Sequence, residues 1–434
     1  MIGMSLSQTL RSMGVVGAGG AGFPASVKAA SQVEYLLANG AECEPLLHKD
    51  YELMKNFPAP VIEGMKAMRA STGARTALFG IKEKNKGAIA AVQPLAEAAG
   101  IGMTYLGDFY PSGDEYELVY TATGRLIPAG GIPLNVGCAL YNVQEAVEGR
   151  PVTRKFVSVN GAVRRPSSFW VPVGTPFKDL IGMAGGMTVD DAGLFVSGLM
   201  MGTLSFDMDQ PVTKAMGGLI VLPADHALVE RRLRPKEAMA RIGRSACDQC
   251  SYCTEFCPRY LLGYDVQPHK VMRTLGFTLA GADNWNQWAQ LCCACGLCTL
   301  YACPEDLFPK EACDQAKVDL RAAGIKFVQE KPVKVHPMKE YRRVPLAQLR
   351  QRLNVERYEA PTPYTAAEPE PEKVRILARQ HTGVAATVVV KSGEKVKLGQ
   401  AVARMNEGEL GADVHASIDG TVTAATAEFV EISR

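Results

Sequence analysis

Residues 247–258 read CDQCSYCTEFCP, so Cys247, Cys250, Cys253 and Cys257 follow the pattern C-x2-C-x2-C-x3-C-P. A second run repeats it: Cys292, Cys295 and Cys298 at the same spacing, then Cys303 before Pro304, with a final gap of four residues instead of three. Thiolates spaced in this way wrap a [4Fe–4S] cube, and in two-cluster chains the fourth cysteine of each run ligates the other cube. The crossed pattern assigns Cys247, Cys250, Cys253 and Cys303 to one cluster, and Cys292, Cys295, Cys298 and Cys257 to the other. Paired C-x2-C knuckles also bind zinc, but two triplets each followed by Cys-Pro suit zinc poorly, because the middle cysteine has no second-knuckle role. Cys293 could replace its neighbour, although the spacing favours Cys292. Cys43, Cys138 and Cys313 lack ligand spacing, and Cys138 and Cys313 read as buried thiols.

Two cubes carry single electrons, so something must load them. Nicotinamide releases two electrons together as hydride, and a flavin is the usual converter to single-electron steps. Near the start, GVVGAGGAGFP (14–24) places Gly17, Gly19 and Gly22 in a G-x-G-x-x-G run. A dinucleotide fingerprint needs a buried strand before these glycines. Only Val15 and Val16 precede them here, and Phe23-Pro24 follow at once. Alone, the run is a weak signal for nucleotide binding.

The elements that must hold these groups are spread over a long chain. At 434 residues it is too large for one core and suits several domains. The net charge of +2 gives no indication of nucleic acid as a partner. No uncharged apolar run reaches the ~18 residues of a membrane span, and MIGMSLSQTLRSMG lacks the apolar core of a secretory signal. These features predict a cytoplasmic protein, and nine of twelve cysteines within residues 247–303 predict metal sites in place of disulfides.

Residues 1–150 alternate apolar runs (VEYLLANG, ARTALFGIKEK) with helical stretches such as IAAVQPLAEAAG, predicting an α/β domain with a parallel sheet. From Thr153 an alternating pattern, an Asn160-Gly161 turn and an amphipathic stretch near 176–184 predict a small β-rich module with one helix. Residues 231–245 read as a helix leading into the cysteines. EAPTPYTAAEPEPE (359–372), with four prolines and four glutamates, reads as a semi-extended linker unable to bury a core. Residues 373–434 are β-patterned in the manner of a biotinyl/lipoyl barrel-sandwich domain. No lysine follows Lys397, which argues against covalent carriage and leaves docking or packing. His226, His269 and His415 show no ligand spacing and read as surface or loop residues.

With the cluster motifs in hand, GAGGAGFPASVK (17–28) resembles the glycine-rich FMN loop shared by three related families. These are the flavin-bearing subunit of respiratory complex I, the RnfC subunit of ion-pumping ferredoxin:NAD oxidoreductases, and the cobalamin reductases of propanediol-utilisation-type microcompartments. NGAECEP (39–45), YPSGDE (110–115) and GGIPLNVGCALYNVQEA (130–146) match that superfamily in order. The resemblance implies a multidomain α/β protein. It would comprise a Rossmann-like FMN/NADH domain (1–150), an SLBB β-grasp module (151–215), a helical two-[4Fe–4S] ferredoxin-like domain (216–330), a linker (331–372) and a barrel-sandwich hybrid domain (373–434).

Carried over by position, Gly17, Gly19, Gly20 and Gly22 would bring backbone amides to the flavin phosphate, with Lys28 adding positive charge. Asn39, Glu42, Gly113, Asp114 and Asn142 match flavin-contacting positions, and Phe23, Glu44 and Glu115 match NADH-contacting ones. The chain departs from the complex I subunit at Ala41, where an acidic residue is usual, and at Ala29 and Ala30, where aromatic residues are. Adenine stacking is accordingly expected to be weaker. The barrel-sandwich stretch follows the FMN loop, unlike RnfC, and two cysteine runs replace the single cluster of the complex I subunit. Both points favour the cobalamin reductases.

The resemblance therefore implies that NADH reduces a noncovalent FMN, that two [4Fe–4S] clusters carry the electrons, and that cobalamin accepts them, with no catalytic side chain assigned. It also implies a bacterial microcompartment as location, with a shell protein or an adenosyltransferase as partner. The competing expectations are an RnfC-like subunit of a membrane-bound complex and an electron-wiring adaptor of a microcompartment shell.

Overall fold

In the computed structural model the described residues are 4–127, 139–276, 286–326, 328–367 and 369–434. Cys138 and the 130–138 part of the fourth superfamily motif lie outside them. The chain opens with helix α1 (Leu6–Ser12), started by a capping box in which the Ser5 hydroxyl accepts from Gln8 N and the Gln8 side chain accepts from Ser5 N.

Three parallel strands follow in the order β1 (Tyr35–Gly40), β2 (Thr76–Lys82) and β3 (Gly102–Leu106). Parallel strands need crossover helices. Helices α3 (Lys49–Asn56), α4 (Pro58–Thr72) and α5 (Lys86–Ala98) supply them, with α2 (Ala25–Ala29) just ahead of the sheet. Leu36, Phe79, Ile81, Met65, Met68 and Val92 close the core between them. The glycine-rich loop has no sheet strand before it. Val15 and Val16 are buried, Val16 makes a lone bridge to Pro24, and Gly17 N donates to Phe23 O at 2.8 Å, so residues 17–23 form a closed loop hanging from α1.

After β4 (Phe109–Tyr110), α6 (Glu115–Thr123) and α7 (Ala139–Val147), the alternating segment builds a five-stranded sheet. Its order is β6-β5-β9-β7-β8: β5 (Arg154–Gly161), β6 (Ser167–Pro172), β7 (Ala192–Val196), β8 (Thr203–Ser205) and β9 (Gly218–Pro223). Helix α8 (Phe177–Met183) packs on it through Phe177, Leu180 and Ile181. The cysteine region holds short helices such as Tyr252–Glu255 and Pro258–Leu261 and ends on the longer helix Pro309–Ala322. Strand β10 (Val344–Pro345) pairs antiparallel with β4, and the C-terminal segment forms two facing sheets, β11-β17-β16-β13 and β12-β14-β15, over a shared core that includes Val374, Val402, Val414 and Ile432. Their ranges are β11 (Lys373–Leu377), β12 (Thr387–Val388), β13 (Lys395–Val396), β14 (Ala401–Arg404), β15 (Val414–His415), β16 (Gly420–Ala425) and β17 (Phe429–Ser433).

Two expectations change. The first half of the segment read as a linker, residues 359–364, packs on its neighbours, whereas residues 365–367, 370 and 372 are exposed. Ser168 Oγ donates to Thr362 O at 2.8 Å, and the Tyr364 ring sits 5.1 Å from Phe57. Upstream, Leu346, Leu349 and Val355 are buried. Its prolines suit an extended run along β6, and that run offers Thr362 and Tyr364 partners that composition does not reveal. Of the histidines read as surface or loop residues, His226 does stand in a loop, but His269 is half-buried on a helix and His415 is buried in a strand. His226 is buried and caps a helix through Leu228 N, His415 is buried, and His269 bonds Thr254 Oγ1 at 2.7 Å. Among the described residues no helix is long and apolar enough to cross a membrane.

Candidate flavin and iron–sulfur sites

The glycine loop, the end of β1 and the start of α6 enclose a cleft of about 280 Å³. Gly17, Gly19 and Gly22 line it, as do Phe23, Lys28 and Asn39, then Glu42, Glu44, Gly113, Asp114 and Glu115. Gly20 and Asn142 do not; Asn142 lies in a small adjoining cavity that shares Ala18, Lys49 and Asp50 with the cleft.

Several sequence-picked residues act on neighbouring elements. Asn39 Nδ2 donates to Gly113 O at 2.9 Å, and its Oδ1 accepts from Ala41 N at 3.2 Å, which ties the end of β1 to the 110–115 loop. Gly113 has no room for a side chain, since a Cβ would meet Ala41 O at 2.4 Å. Asp114 caps α6 through Tyr116 N and accepts from Arg259 Nε and Nη2. Glu44 accepts from Met200 N (3.0 Å) and Met201 N (2.8 Å), so both carboxylate oxygens are held by the β7–β8 loop.

Electrostatics follow from burial. Burial pushes Glu42 and Glu44 up to about 7; Asp50 adds to the effect at Glu42, and the Met200 and Met201 amides oppose it at Glu44. Burial lowers Lys28 below the usual lysine range, opposed by Glu115, and raises Glu115 with help from Asp114. Glu42 Oε2 accepts from Asp50 N, whereas its Oε1 is buried without a hydrogen-bond partner among the described residues, 3.8 Å from Lys49 Nζ. An unsatisfied buried carboxylate oxygen beside a glycine-walled cleft fits a ligand bearing hydroxyl or N–H donors. At Gly19 and Gly20 a Cβ would meet nothing within 4 Å, so the loop tip is open. These residues fit a flavin mononucleotide.

The two cysteine triplets share one backbone signature. Two residues after Cys247 and Cys292 come left-handed Gln249 (φ 63°) and Ala294 (φ 57°), and four residues after come left-handed Ser251 (φ 66°) and Gly296 (φ 81°). The correspondence pairs Cys247 with Cys292, Cys250 with Cys295 and Cys253 with Cys298, leaving Cys293 outside the triplet. Donors aim at the sulfurs as well: Gln249 Nε2 at Cys247 Sγ (3.1 Å), Ala294 N at Cys292 Sγ (3.3 Å) and Leu307 N at Cys303 Sγ (3.3 Å). Cys247, Cys250, Cys253 and Cys303 line one cavity, bordered by His269. Cys257 lies within electrostatic reach of Cys292, and Cys298 of Cys257, Cys292 and Cys253, so the second set adjoins the first. Cys313 is fully buried beside Cys292.

The glycine-loop cleft and the second cysteine set share a wall. Cys293 and Cys295 line the cleft, and Tyr110 Oη donates to Cys295 O at 2.7 Å. Cys43 lines it too, its thiol pushed up to about 12 by burial. Sequence reasoning passed over Arg259, Lys49 and Lys155, which belong to no motif, and over the side chain of Tyr110, the first residue of YPSGDE; only contacts between distant segments reveal them.

Known families match the chain segment by segment. The chain matches the Nuo51 FMN-binding domain over residues 10–148, the SLBB domain over 156–204, the 4Fe-4S dicluster domain over 246–308 and the RnfC barrel sandwich hybrid domain over 356–432. The dicluster match decides for iron–sulfur over zinc. Cobalamin reductase PduS of Salmonella typhimurium is 41% identical over 444 residues, covering 99% of this chain and 98% of that protein. Cobalamin reductase PduS of Citrobacter freundii is 40% identical over 438 residues, covering 99% and 96%. Among solved structures, NAD+-reducing [NiFe]-hydrogenase in the H2-reduced state aligns with a TM-score of 0.47 at 18% identity, over 80% of this chain and 66% of that one. The air-oxidised state aligns with the same score over 82% and 67%.

Proposed function

The chain belongs to the PduS family of cobalamin reductases, and on that premise we propose an oxidoreductase that takes electrons from NADH and delivers them, by way of FMN and two [4Fe–4S] clusters, to cobalamin. When bound, FMN would supply the conversion between hydride and single electrons, and the clusters would supply single-electron carriage. The observation that carries the reading is the shared wall, where Cys293 and Cys295 line the cleft of the glycine-rich loop.

In this reading Gly19, Gly20 and Gly22 present amides to the FMN phosphate, Gly17 closes the loop on Phe23 and leaves the wall bare of a side chain, Lys28 supplies charge, and Glu42 offers Oε1 to a flavin donor. Asn39 and Gly113 shape the floor. Phe23 and Glu115 face the entering nicotinamide, while Glu44 serves by holding the β7–β8 loop against the cleft. Cys257, Cys292, Cys295 and Cys298 hold the cluster nearer the flavin; Cys247, Cys250, Cys253 and Cys303 hold the outer one. Cys250 is exposed and Tyr252 beside it is 48% exposed, which makes that surface the place for a corrinoid to approach. The domain boundaries proposed are 1–150, 151–215, 216–330, 331–372 and 373–434.

Anaerobic purification with iron and sulfide reconstitution, then NADH titration followed by absorbance and EPR, tests the reading. About eight irons and one noncovalent FMN per chain, bleached by NADH, are expected. Two zincs and no flavin would overturn it. Cob(III)alamin that stays oxidised beside the reduced protein would remove the acceptor. Co-purification with shell proteins, in preference to membrane subunits, is expected for a microcompartment location.

A further inference from the structure

The C-terminal domain reaches across the molecule to the glycine-rich loop. Thr382 Oγ1 donates to Ala21 O at 2.7 Å, and Thr382 N donates to Gly22 O at 3.2 Å. The chain before Thr382 lies hard against the loop. A Cβ on Gly22, itself left-handed at φ 63°, would stand 3.0 Å from His381 Cα and 3.1 Å from Gln380 O.

This contact is braced from behind. Gln380 Oε1 accepts from Lys214 N at 2.9 Å. Lys214 is fully buried, and its Nζ donates to Gly14 O at 3.0 Å and to Asp413 O at 2.7 Å. Asp413 N in turn donates to Arg11 O at 3.0 Å. Both ends of the loop, at Gly14 and at Gly22, are therefore fastened to residues 380–413. On another side, Lys155 Nζ donates to Ala18 O at 3.1 Å.

The fastening has a directional consequence. In a planar trans peptide the C=O and N–H point opposite ways. Turning the Ala21 carbonyl toward Thr382 turns Gly22 N–H away from the C-terminal domain, and turning the Gly22 carbonyl the same way does so for Phe23 N–H. Lys155 does likewise for Gly19 N–H through the Ala18 carbonyl. Glycine-rich segments flip peptides readily, and an anion site gains affinity when its amides are already aimed. We propose that Thr382 is a positioning residue for the phosphate-binding loop, and that the barrel-sandwich domain serves as a brace that sets the loop's amides for the FMN phosphate. The inference rests on the FMN reading above.

The test compares FMN with riboflavin, which lacks the phosphate, on the full-length FMN-depleted chain, by flavin fluorescence quenching. Thr382→Val keeps the shape and removes the hydroxyl. FMN affinity is expected to fall about five-fold or more, the worth of one hydrogen bond, with riboflavin affinity unchanged and iron content as in the wild type. Thr382→Ser is expected to restore FMN affinity. Thr423→Val, in the same domain but bonded to Glu431, is expected to change neither. Unchanged FMN affinity in Thr382→Val, or equal losses for FMN and riboflavin, would overturn the brace. A wild-type chain that binds no FMN would instead overturn the flavin reading, and the brace with it.

Discussion

Arg259 and Asp114 form a buried ion pair joining the cysteine region to the flavin side, with Nε and Nη2 of the guanidinium 3.1 and 2.9 Å from Asp114 Oδ2. The guanidinium also lies 3.5 Å from the centre of the Tyr116 ring. Arg259 is two residues past Cys257, and Asp114 caps α6 with its other oxygen. One side chain thus ties the turn that carries Cys257 to the wall of the glycine-loop cleft.

Arg259→Met is expected to destabilise the protein strongly, by about 3–5 kcal/mol, because it strands a buried carboxylate. The paired change Arg259→Met/Asp114→Asn is expected to recover much of that loss. Urea unfolding midpoints of the anaerobic protein check both. Equal midpoints for the wild type and the single variant would show the pair to be dispensable.

The matched left-handed positions separate two adjacent cysteines. Cys292→Ser is expected to cost one cluster, taking iron from about eight to about four per chain, whereas Cys293→Ser retains about eight. Iron and sulfide assays with EPR of the reduced protein give the answer, and the reverse pattern would transfer ligation to Cys293.

Glu44 predicts a pH dependence. Its folded value of about 7 lies above the usual carboxyl value near 4.5, so the folded state holds the extra proton. Stability from this group is fully present below pH ~4.5 and is lost as pH rises through about 7, by at most about 3 kcal/mol. Glu44→Gln, which cannot ionise, is expected to flatten the thermal-midpoint profile between pH 5 and 8. A profile as steep as the wild type's would place the titration elsewhere.

Much of the site was legible because metal and phosphate chemistry write short-range rules. Three thiols reach one cube only from closely spaced turns, so Cys247, Cys250 and Cys253 announce themselves by spacing. The left-handed residues that make those turns are local too. Gly17, Gly19 and Gly22 are visible for a similar reason, since backbone can approach an anion only where side chains are absent. Residues 359–372 misled because proline and glutamate content reports what a segment cannot do alone, not what β6 and Phe57 offer it.

By itself, then, the sequence determined the cofactor class, the spacing of the cysteines and the order of domains, all properties carried by neighbours along the chain. Tertiary structure alone decided that Glu44 holds the β7–β8 loop, that Asp114 answers to Arg259, and that Thr382 braces Ala21. Each of these joins residues more than a hundred positions apart. Such a pairing depends on how separate domains dock, and burial then makes each hydrogen bond or ion pair costly to lose.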